Sequence, residues 1–577
     1  MADRHAAPVG SSRRFEAVLP VLLLMLVPTV VLTGDRALIF NPAGSIDPWV
    51  YYGLYRNTEA LKALFPTTYY PTRLSLILPG YLANQIFQPL TANYVLHVLI
   101  WVGAVAGLFL TVAHVAGRRS ALVAATVFGF YPYLWKAAGW DQHDGVGNVY
   151  YLLTMAFLTL AAASRAPSRP YLCCAGVTCA CAVYCNLTWA FLLPSFGPYW
   201  LAARKARGLP VTLGLTLLWS GAGFLLLTLF FAIVNYGLGG SLNFYLPSIT
   251  YALEAVKTPS TYTAPDAAWM TSSPWLFLPA AAVLAGPVAL VRARQRQSSY
   301  HARMAVALYV NLLFCAGVLI LWELAGEPML QTSYYGSYLL APTFLFLGVT
   351  TFSVPETLRP SRFFALLAGV VGVSALVWWD STGGTWLWLL GTGWGPVLAI
   401  AVVVAAGLVA GRTRAVAMTV LGVSILSLNS RLMPAGVGWG RPSQAEDAFL
   451  RIVEGIEIAM DAARAQPDRF IRFWYEASDV RSGEFSSINS AYFYLYSKFP
   501  DYPMPPDWRV EGLTAVLSSL PDEKRGEMFA TAQSLLRQRG FRARVAADHV
   551  IDRGGVRYVM TIIEIEQDAQ ADRDPAA

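Results

Sequence analysis

The 577-residue sequence is short of charge: Asp, Glu, Lys and Arg make up 13% of it while 56% is hydrophobic, against roughly 25% charged in a soluble domain. Such a chain cannot clothe a water-facing surface along its whole length, which excludes an ordinary soluble protein and points to many membrane crossings. Cysteine is scarce and confined. Five of the six, Cys173, Cys174, Cys179, Cys181 and Cys185, fall in one apolar run and Cys315 in another. No paired C-x-x-C spacing occurs and none lies in a polar loop, which excludes a disulfide scaffold and a cysteine zinc site and leaves small side chains packing between helices. Ionisable residues are nearly missing from the middles of the apolar runs, whereas ion-coupled transporters bury acids or bases at midplane, so a pump is disfavoured. The net charge of +7 does not imply nucleic acid, because Lys and Arg sit in short clusters between apolar runs rather than on one face.

What is present is a series of about thirteen apolar runs, at residues 16–32, 92–113, 120–138, 149–163, 171–185, 187–203, 211–235, 274–291, 304–324, 335–353, 363–379, 387–410 and 415–432. The first follows Arg13 and Arg14 without a small-x-small cleavage site and reads as a retained span rather than a secretory signal. A turn near Asn186 splits the fifth run from the sixth. Arg118 and Arg119, Arg165 and Arg169, Arg204 with Lys205 and Arg207, Arg292 to Arg303, Arg359 and Arg362, and Arg412 and Arg414 then all fall on one side. The positive-inside rule makes that side cytoplasmic, with the N-terminus inside and everything after Leu432 outside, in a bacterial-type cytoplasmic membrane.

The expected fold is therefore an α-helical polytopic membrane domain over residues 1–433, with outside loops 34–90, 139–148 and 236–273, followed by a C-terminal extracytoplasmic α/β domain over 434–577. In that tail 445–465 and 522–539 read as helices, the second ended by Gly540. Residues 470–475 and 514–518 read as strands, and 542–551 with 556–565 as a hairpin about Gly554 and Gly555. No nucleotide-binding glycine loop precedes the tail's helices.

The uncommon residues gather in the outside loops. In NPAGSIDPWVYYGLYRNTEALKALFPTTYYPTRLSLILPG, residues 41–80, Asp47 followed by Pro48 reads as an N-cap and a first-turn proline. After it Tyr51, Leu54, Tyr55, Thr58, Leu61 and Phe65 recur at helical spacing, predicting a helix in the membrane interface with its Tyr and Trp at headgroup depth. Asp47 is then either that cap or a functional carboxylate. In the second loop, GWDQHDGVGN, Asp141, His143 and Asp144 offer oxygen and nitrogen donors for a hard divalent cation or a proton-transfer network. Equally, Asp144 and Asn148 could cap the next helix. Of the cations near the outer interface, Arg56 and Lys62 read as snorkelling side chains. Arg73, between two prolines in YYPTRLSLILPG, reads as a phosphate ligand, and Lys136 could join it. The third loop, with Asn243, Tyr245, Glu254, Lys257, Tyr262 and Asp266, is long enough for a lid or an acceptor-binding loop. Tyr334, Tyr335 and Tyr338 in QTSYYGSYLLAP read as an aromatic belt.

With an acid in the first outside loop (Asp47 in SIDPWVYYG), acids in the second (WDQHD) and a Tyr-Pro-x-Arg stretch at Arg73, the layout resembles the GT-C superfamily of membrane glycosyltransferases. That superfamily includes protein O-mannosyltransferases, the aminoarabinose transferase acting on lipid A, and oligosaccharyltransferase catalytic subunits. The resemblance spans the membrane part. It implies an inverting glycosyltransferase, surrounded by membrane lipids and without a nucleic-acid partner, that moves a hexosyl or pentosyl group from a polyprenyl-phosphate donor. The acceptor would be a glycan, lipid or protein outside the cytoplasmic membrane. By that likeness Asp47 would be the general base. Asp141 and Asp144 would assist it, or with Asp47 hold a divalent cation. Arg73, Lys136, Tyr69 and Tyr335 would meet the donor phosphate, and Tyr51, Trp140 and His143 the acceptor or sugar.

Two departures narrow the likeness. The Trp-Trp-Asp-Tyr-Gly signature of oligosaccharyltransferases is absent from the tail, since Trp378, Trp379 and Asp380 fall at a span end and are followed by Ser and Thr. The second loop has no D-x-D. Two rivals use the same features otherwise: a non-catalytic lipid-linked sugar translocator or envelope scaffold, in which Asp47 and Arg73 are structural, and an O-antigen polymerase or ligase. The latter should carry arginines in a large outside loop, and residues 236–273 contain none.

The charge asymmetry sets a first test. A reporter active only outside the cytoplasm, fused after Leu432, is expected to be active. Activity confined to a cytoplasmic reporter at that position would reverse the placement of every candidate residue.

Overall fold

The computed structural model describes residues 10–34, 39–64, 68–139, 143–163, 168–257, 274–296, 299–327, 329–380, 442–467, 469, 471–493 and 512–567. The two last expected spans, 387–410 and 415–432, lie outside the described residues.

In chain order the helices are α1 (Gly10–Gly34), α2 (Ile46–Leu64), α3 (Leu74–Ile86), α4 (Pro89–Ala116), α5 (Arg118–Gly129), α6 (Pro132–Gly139) and α7 (His143–Ala163). There follow α8 (Arg169–Cys185), α9 (Thr188–Leu192), α10 (Phe196–Ala206), α11 (Leu213–Gly237), α12 (Leu246–Lys257), α13 (Phe277–Arg296) and α14 (Ser299–Leu324). The last are α15 (Ser333–Gly336), α16 (Leu340–Val349), α17 (Pro360–Asp380), α18 (Pro442–Ala465), α19 (Ser482–Phe493) and α20 (Asp522–Arg537). Two compact units share them. One is built from Met1–Ile39, Thr72–Leu76 and Val95–Met433, the other from Phe40–Pro71, Ile77–Tyr94 and Pro434–Ala577.

The first unit is a polytopic helical membrane body. Among the described residues five helices are long and apolar enough to cross a bilayer: Pro89–Ala116, Asp144–Ala163, Leu213–Gly237, Phe277–Gln295 and Ser299–Leu324. Along α11 Leu217, Leu218, Leu225 and Leu229 stay exposed, the surface that a lipid-facing helix presents. Several apolar runs that read as single crossings are broken. The run 120–138 becomes α5 and α6, because Pro132 has no amide to continue the ladder. At that break Gly129 O accepts from Trp101 Nε1 at 3.0 Å and Trp135 Nε1 at 2.6 Å, so two indoles satisfy the freed carbonyl. The run 187–203 passes through a 3-10 turn, Leu193–Ser195, that contains Pro194, and the run 335–353 through another, Ser337–Leu339. Between α8 and α9 the chain turns at Asn186, whose Oδ1 accepts from Thr188 N at 3.0 Å.

The second unit joins the first loop to the tail. Its four-stranded sheet has strands β1 (Ile471–Tyr475), β2 (Gly512–Ser518), β3 (Phe541–Arg553) and β4 (Val556–Gln567) in the order β1-β2-β4-β3. β1 runs parallel to β2, and the other neighbours are antiparallel. One face is sealed by α20, where Met528 and Leu536 pack on Trp474, Val516, Ile563 and Ile565. The β3–β4 turn needs positive φ at both central residues, and Gly554 (64°) and Gly555 (72°) supply it. The periodicity of SGEFSSINSAYF gives no apolar stripe, so α19 is an element the sequence did not announce.

Three expectations about the first loop are corrected. Helix α2 begins at Ile46, so Asp47 lies inside its first turn rather than capping it. Trp49, Tyr51, Tyr52 and Tyr55 are buried in protein instead of standing at headgroup depth. The Phe449 ring of α18 packs among them, 5.9 Å from Trp49 and 5.4 Å from Tyr52. Helical spacing shows that a face is apolar but not whether lipid or protein covers it. Nor do Arg56 and Lys62 snorkel: Arg56 Nη2 pairs with Glu457 Oε1 at 2.6 Å, and Lys62 is buried, which lowers its ammonium to about 8.

The tail's own keystone is ionic. Arg451 meets Glu484 through two bonds, Nε to Oε2 at 2.9 Å and Nη2 to Oε1 at 2.7 Å, and donates from Nη1 to Arg553 O at 2.9 Å. The side chains are only 3% and 5% exposed. Glu484→Gln keeps the shape but leaves a buried guanidinium without its counter-ion, so a loss of about 3–5 kcal/mol is expected, read as a lowered unfolding midpoint of the full chain. A loss below about 1 kcal/mol, the range of surface pairs, would show that the pair is solvated.

Candidate functional site

Two groups of side chains carry the chemistry, one in each unit. In the second unit Tyr70 OH donates to Asp47 Oδ1 at 2.7 Å. Tyr70 is stacked on Tyr69, with ring centroids 4.3 Å apart, and lies 5.6 Å from Tyr51. Burial, and then the neighbouring Asp47 charge, raise the Tyr70 hydroxyl well above its usual value, so it remains a donor to the half-buried carboxylate throughout the neutral range. Sequence reasoning named Tyr69 and Tyr51 and missed Tyr70. The only signal was its place in the same Tyr-Tyr-Pro stretch.

In the first unit the chain on both sides of Arg73 is pinned. Thr72 Oγ1 hydrogen-bonds Ser248 Oγ of α12, Ser75 Oγ donates to Cys181 O of α8 at 2.7 Å, and Tyr150 OH of α7 donates to Ser75 O at 2.6 Å.

Asp144 itself is fully buried. Its Oδ1 accepts from Asn186 Nδ2 at 2.6 Å and from Tyr338 OH. Asn148, one turn along α7, accepts the Ala341 amide on its Oδ1 at 3.3 Å. Neither residue acts as the cap that their sequence positions suggested. They tie α7 to the Asn186 turn and to the segment 337–341. Tyr338 likewise leaves the aromatic belt, being buried beside the Trp189 ring at 4.7 Å. A Cβ on Gly147 would stand 1.8 Å from Trp189 Nε1, so a glycine is required for the indole to seat there. Tyr335 is half-buried and lies parallel to Tyr338 at 6.4 Å. Lys136 is buried on α6.

Of the residues singled out from sequence, Asp47, Tyr51 and Tyr69 thus come together in the second unit, while Arg73 and Asp144 both belong to the first. Trp140, Asp141 and the side chain of His143 lie outside the described residues. Among the described residues no three His, Cys, Asp or Glu side chains gather as metal ligands.

The network around Asp144 makes a stability prediction. Tyr338→Phe removes one donor from a buried carboxylate, and the full chain should lose about 1–3 kcal/mol, measured as a lower unfolding midpoint in detergent. An unchanged midpoint would mean that the hydroxyl is dispensable to that carboxylate.

No protein-family model matches the chain, and no curated protein matches its sequence. Among solved structures the chain is similar to ArnT from Cupriavidus metallidurans bound to undecaprenyl phosphate, with a TM-score of 0.48 and 14% identity over 94% of this chain and 98% of that one. It is also similar to the Archaeoglobus fulgidus oligosaccharyltransferase in its apo form, with a TM-score of 0.40 and 15% identity over 84% of this chain and 64% of the other. The AglB oligosaccharyltransferase of the same organism, in complex with an inhibitory peptide and a dolichol-phosphate, gives 0.40 and 14% over 83% and 64%.

Proposed function

We propose that the protein is an inverting membrane glycosyltransferase of the GT-C type, moving a hexosyl or pentosyl group from a polyprenyl-phosphate sugar to an acceptor outside the cytoplasmic membrane. The observation that carries the reading is the Asp47–Tyr70 pair: a half-buried carboxylate, oriented by one hydroxyl in a tyrosine cluster, three residues before Arg73 in a chain of membrane helices.

In this reading Tyr70 holds Oδ1 of Asp47, and Oδ2 takes the proton of the acceptor hydroxyl as its oxygen attacks the anomeric carbon. The new C–O bond forms on the face opposite the phosphate, so the configuration inverts. The bond from the anomeric carbon to the phosphate oxygen breaks, and the polyprenyl phosphate leaves with the electron pair. Arg73 meets the charge that grows there, its planar fork matching two phosphate oxygens. Lys136 and Tyr335 are assigned to the same phosphate, and Tyr51, Trp140 and His143 to the acceptor or sugar. Asp144 is assigned an assisting role, with Asp141 beside it in sequence. The topology that goes with this reading has the N-terminus inside and the tail outside.

The assignments separate experimentally. Purified protein would be given a panel of polyprenyl-phosphate sugars and its donor hydrolysis and transfer followed. Asp47→Asn keeps the shape of the side chain but cannot accept a proton, so turnover should fall about 10²-fold or more with donor binding retained. Arg73→Ala should weaken donor binding and turnover together, because a phosphate ligand acts on the ground state and on the leaving group. Near-normal transfer by Asp47→Asn at matched expression would reduce Asp47 to a helix-terminal residue and move the search for the base to Asp141 or Asp144.

A further inference from the structure

Helix α2 presents two opposite faces. At the helical spacing of 100° per residue, Asp47 and Tyr51 fall on one stripe, and Trp49, Tyr52, Gly53 and Arg56, at i, i+3, i+4 and i+7, fall on the other. Every residue of the second stripe touches the tail. A Cβ on Gly53 would stand 1.7 Å from the Ala491 carbonyl oxygen, so α2 and α19 meet backbone to backbone. Trp49 and Tyr52 close on Phe449 of α18, and Arg56 pairs with Glu457 of the same helix.

The turn that leads into α2 is held from the same side. Gly44, at φ 80°, donates its amide to Ser487 Oγ of α19 at 2.9 Å. Phe40 packs on Phe449 at 5.2 Å. The turn also closes on the helix start, with Trp49 Nε1 donating to Pro42 O at 3.0 Å and Asn41 Nδ2 to Pro48 O at 3.3 Å. The helix is broken at Asn57, where the backbone leaves helical geometry. The gripped stretch is thus a short rigid rod, with Asp47 in its first turn and the tail along its back.

We infer that the C-terminal domain is the positioning element of the proposed base: α18 and α19 set the axial and rotational placement of Asp47 through Gly53, Ser487 and the Arg56–Glu457 pair. This rests on the assignment of Asp47 as the base. A rod packed at backbone contact has no slack, so anything that lifts α2 from α19 shifts the carboxylate by a comparable distance. The tail then acts on the chemical step without touching substrate, and its residues on α18 and α19 are positioning residues.

The test uses the full chain in nanodiscs with two readouts, hydrogen exchange of residues 46–56 and hydrolysis of a polyprenyl-phosphate sugar. Gly53→Val should speed exchange in that stretch and lower kcat by about 10²-fold, the cost of a misplacement near 1 Å, while the donor KM stays unchanged. Arg56→Glu should act the same way more weakly, by about fivefold at most for a half-exposed pair, and Glu457→Arg in the same chain should restore both readouts. The charge exchange carries the test if Gly53→Val does not fold. Unchanged exchange in both variants, or faster exchange with unchanged kcat, overturns the inference. Asp47→Asn is run alongside: if it turns over normally the base assignment fails, while the exchange data still decide whether the tail holds α2.

Discussion

Asp144 has no exposure to solvent, so its polar side chain must be met from inside the protein, and the groups that meet it come from the places where helices stop. Asn186 sits at the junction of α8 and α9, and Tyr338 in the 3-10 turn ahead of α16. A bilayer offers no water to backbone groups freed by a broken helix, so breaks survive there only when other protein groups take over. The polar residues of the first unit do that work repeatedly: the indoles of Trp101 and Trp135 on Gly129 O, Asn148 on the Ala341 amide, Asn186 on Thr188. The carboxylate is the strongest acceptor in the set. Its placement ties three segments together, α7, the Asn186 turn and the turn that carries Tyr338.

The second unit solves the opposite problem, that of bringing a charged and aromatic loop to one fixed place. It does so with close backbone approach rather than with polar bonds alone. Glycine at 53 lets α2 lie on α19, and the bulky rings at 49 and 52 close around Phe449. The half-exposed Arg56–Glu457 pair adds orientation more than stability, whereas Arg451 and Glu484, fully enclosed, hold α18 against α19.

Much of this frame is legible in the sequence where a single local rule decides. The apolar runs at 92–113, 211–235, 274–291 and 304–324 coincide with helices long enough to cross a bilayer. Gly540, Gly554 and Gly555 stand where positive φ is needed, and the chain turns at Asn186. What escaped is whatever depends on a distant partner. The stripe of Tyr51, Leu54, Tyr55, Thr58 and Leu61 reads equally well against headgroups or against the protein that covers it, where Tyr51 meets Tyr70 and Tyr55 meets Gly80 of α3. Tyr338 reads as belt until Asp144 is known to lie beside it. Helix α19 has too weak a stripe to declare itself, being amphipathic only with respect to α2 and the sheet. Pro132 and Pro194 break runs whose hydropathy alone is continuous, because hydropathy averages over the missing amide, and the turn at 337–339 breaks another without a proline.

The corrections to Arg56, Lys62 and Tyr338 share one direction: side chains assigned to the membrane surface turned inward to protein partners. That matters for where a phosphate ligand is to be sought. Arg56 is already committed to Glu457, and Lys62 is buried, with its ammonium lowered to about 8. Arg73 is half-buried on a segment whose neighbours, Thr72 and Ser75, make anchoring bonds. Tyr70, three residues earlier in the sequence, has its hydroxyl on Asp47. The Tyr-Pro-Thr-Arg stretch thus carries the hydrogen-bond partner of an acid and a cation within four residues of sequence.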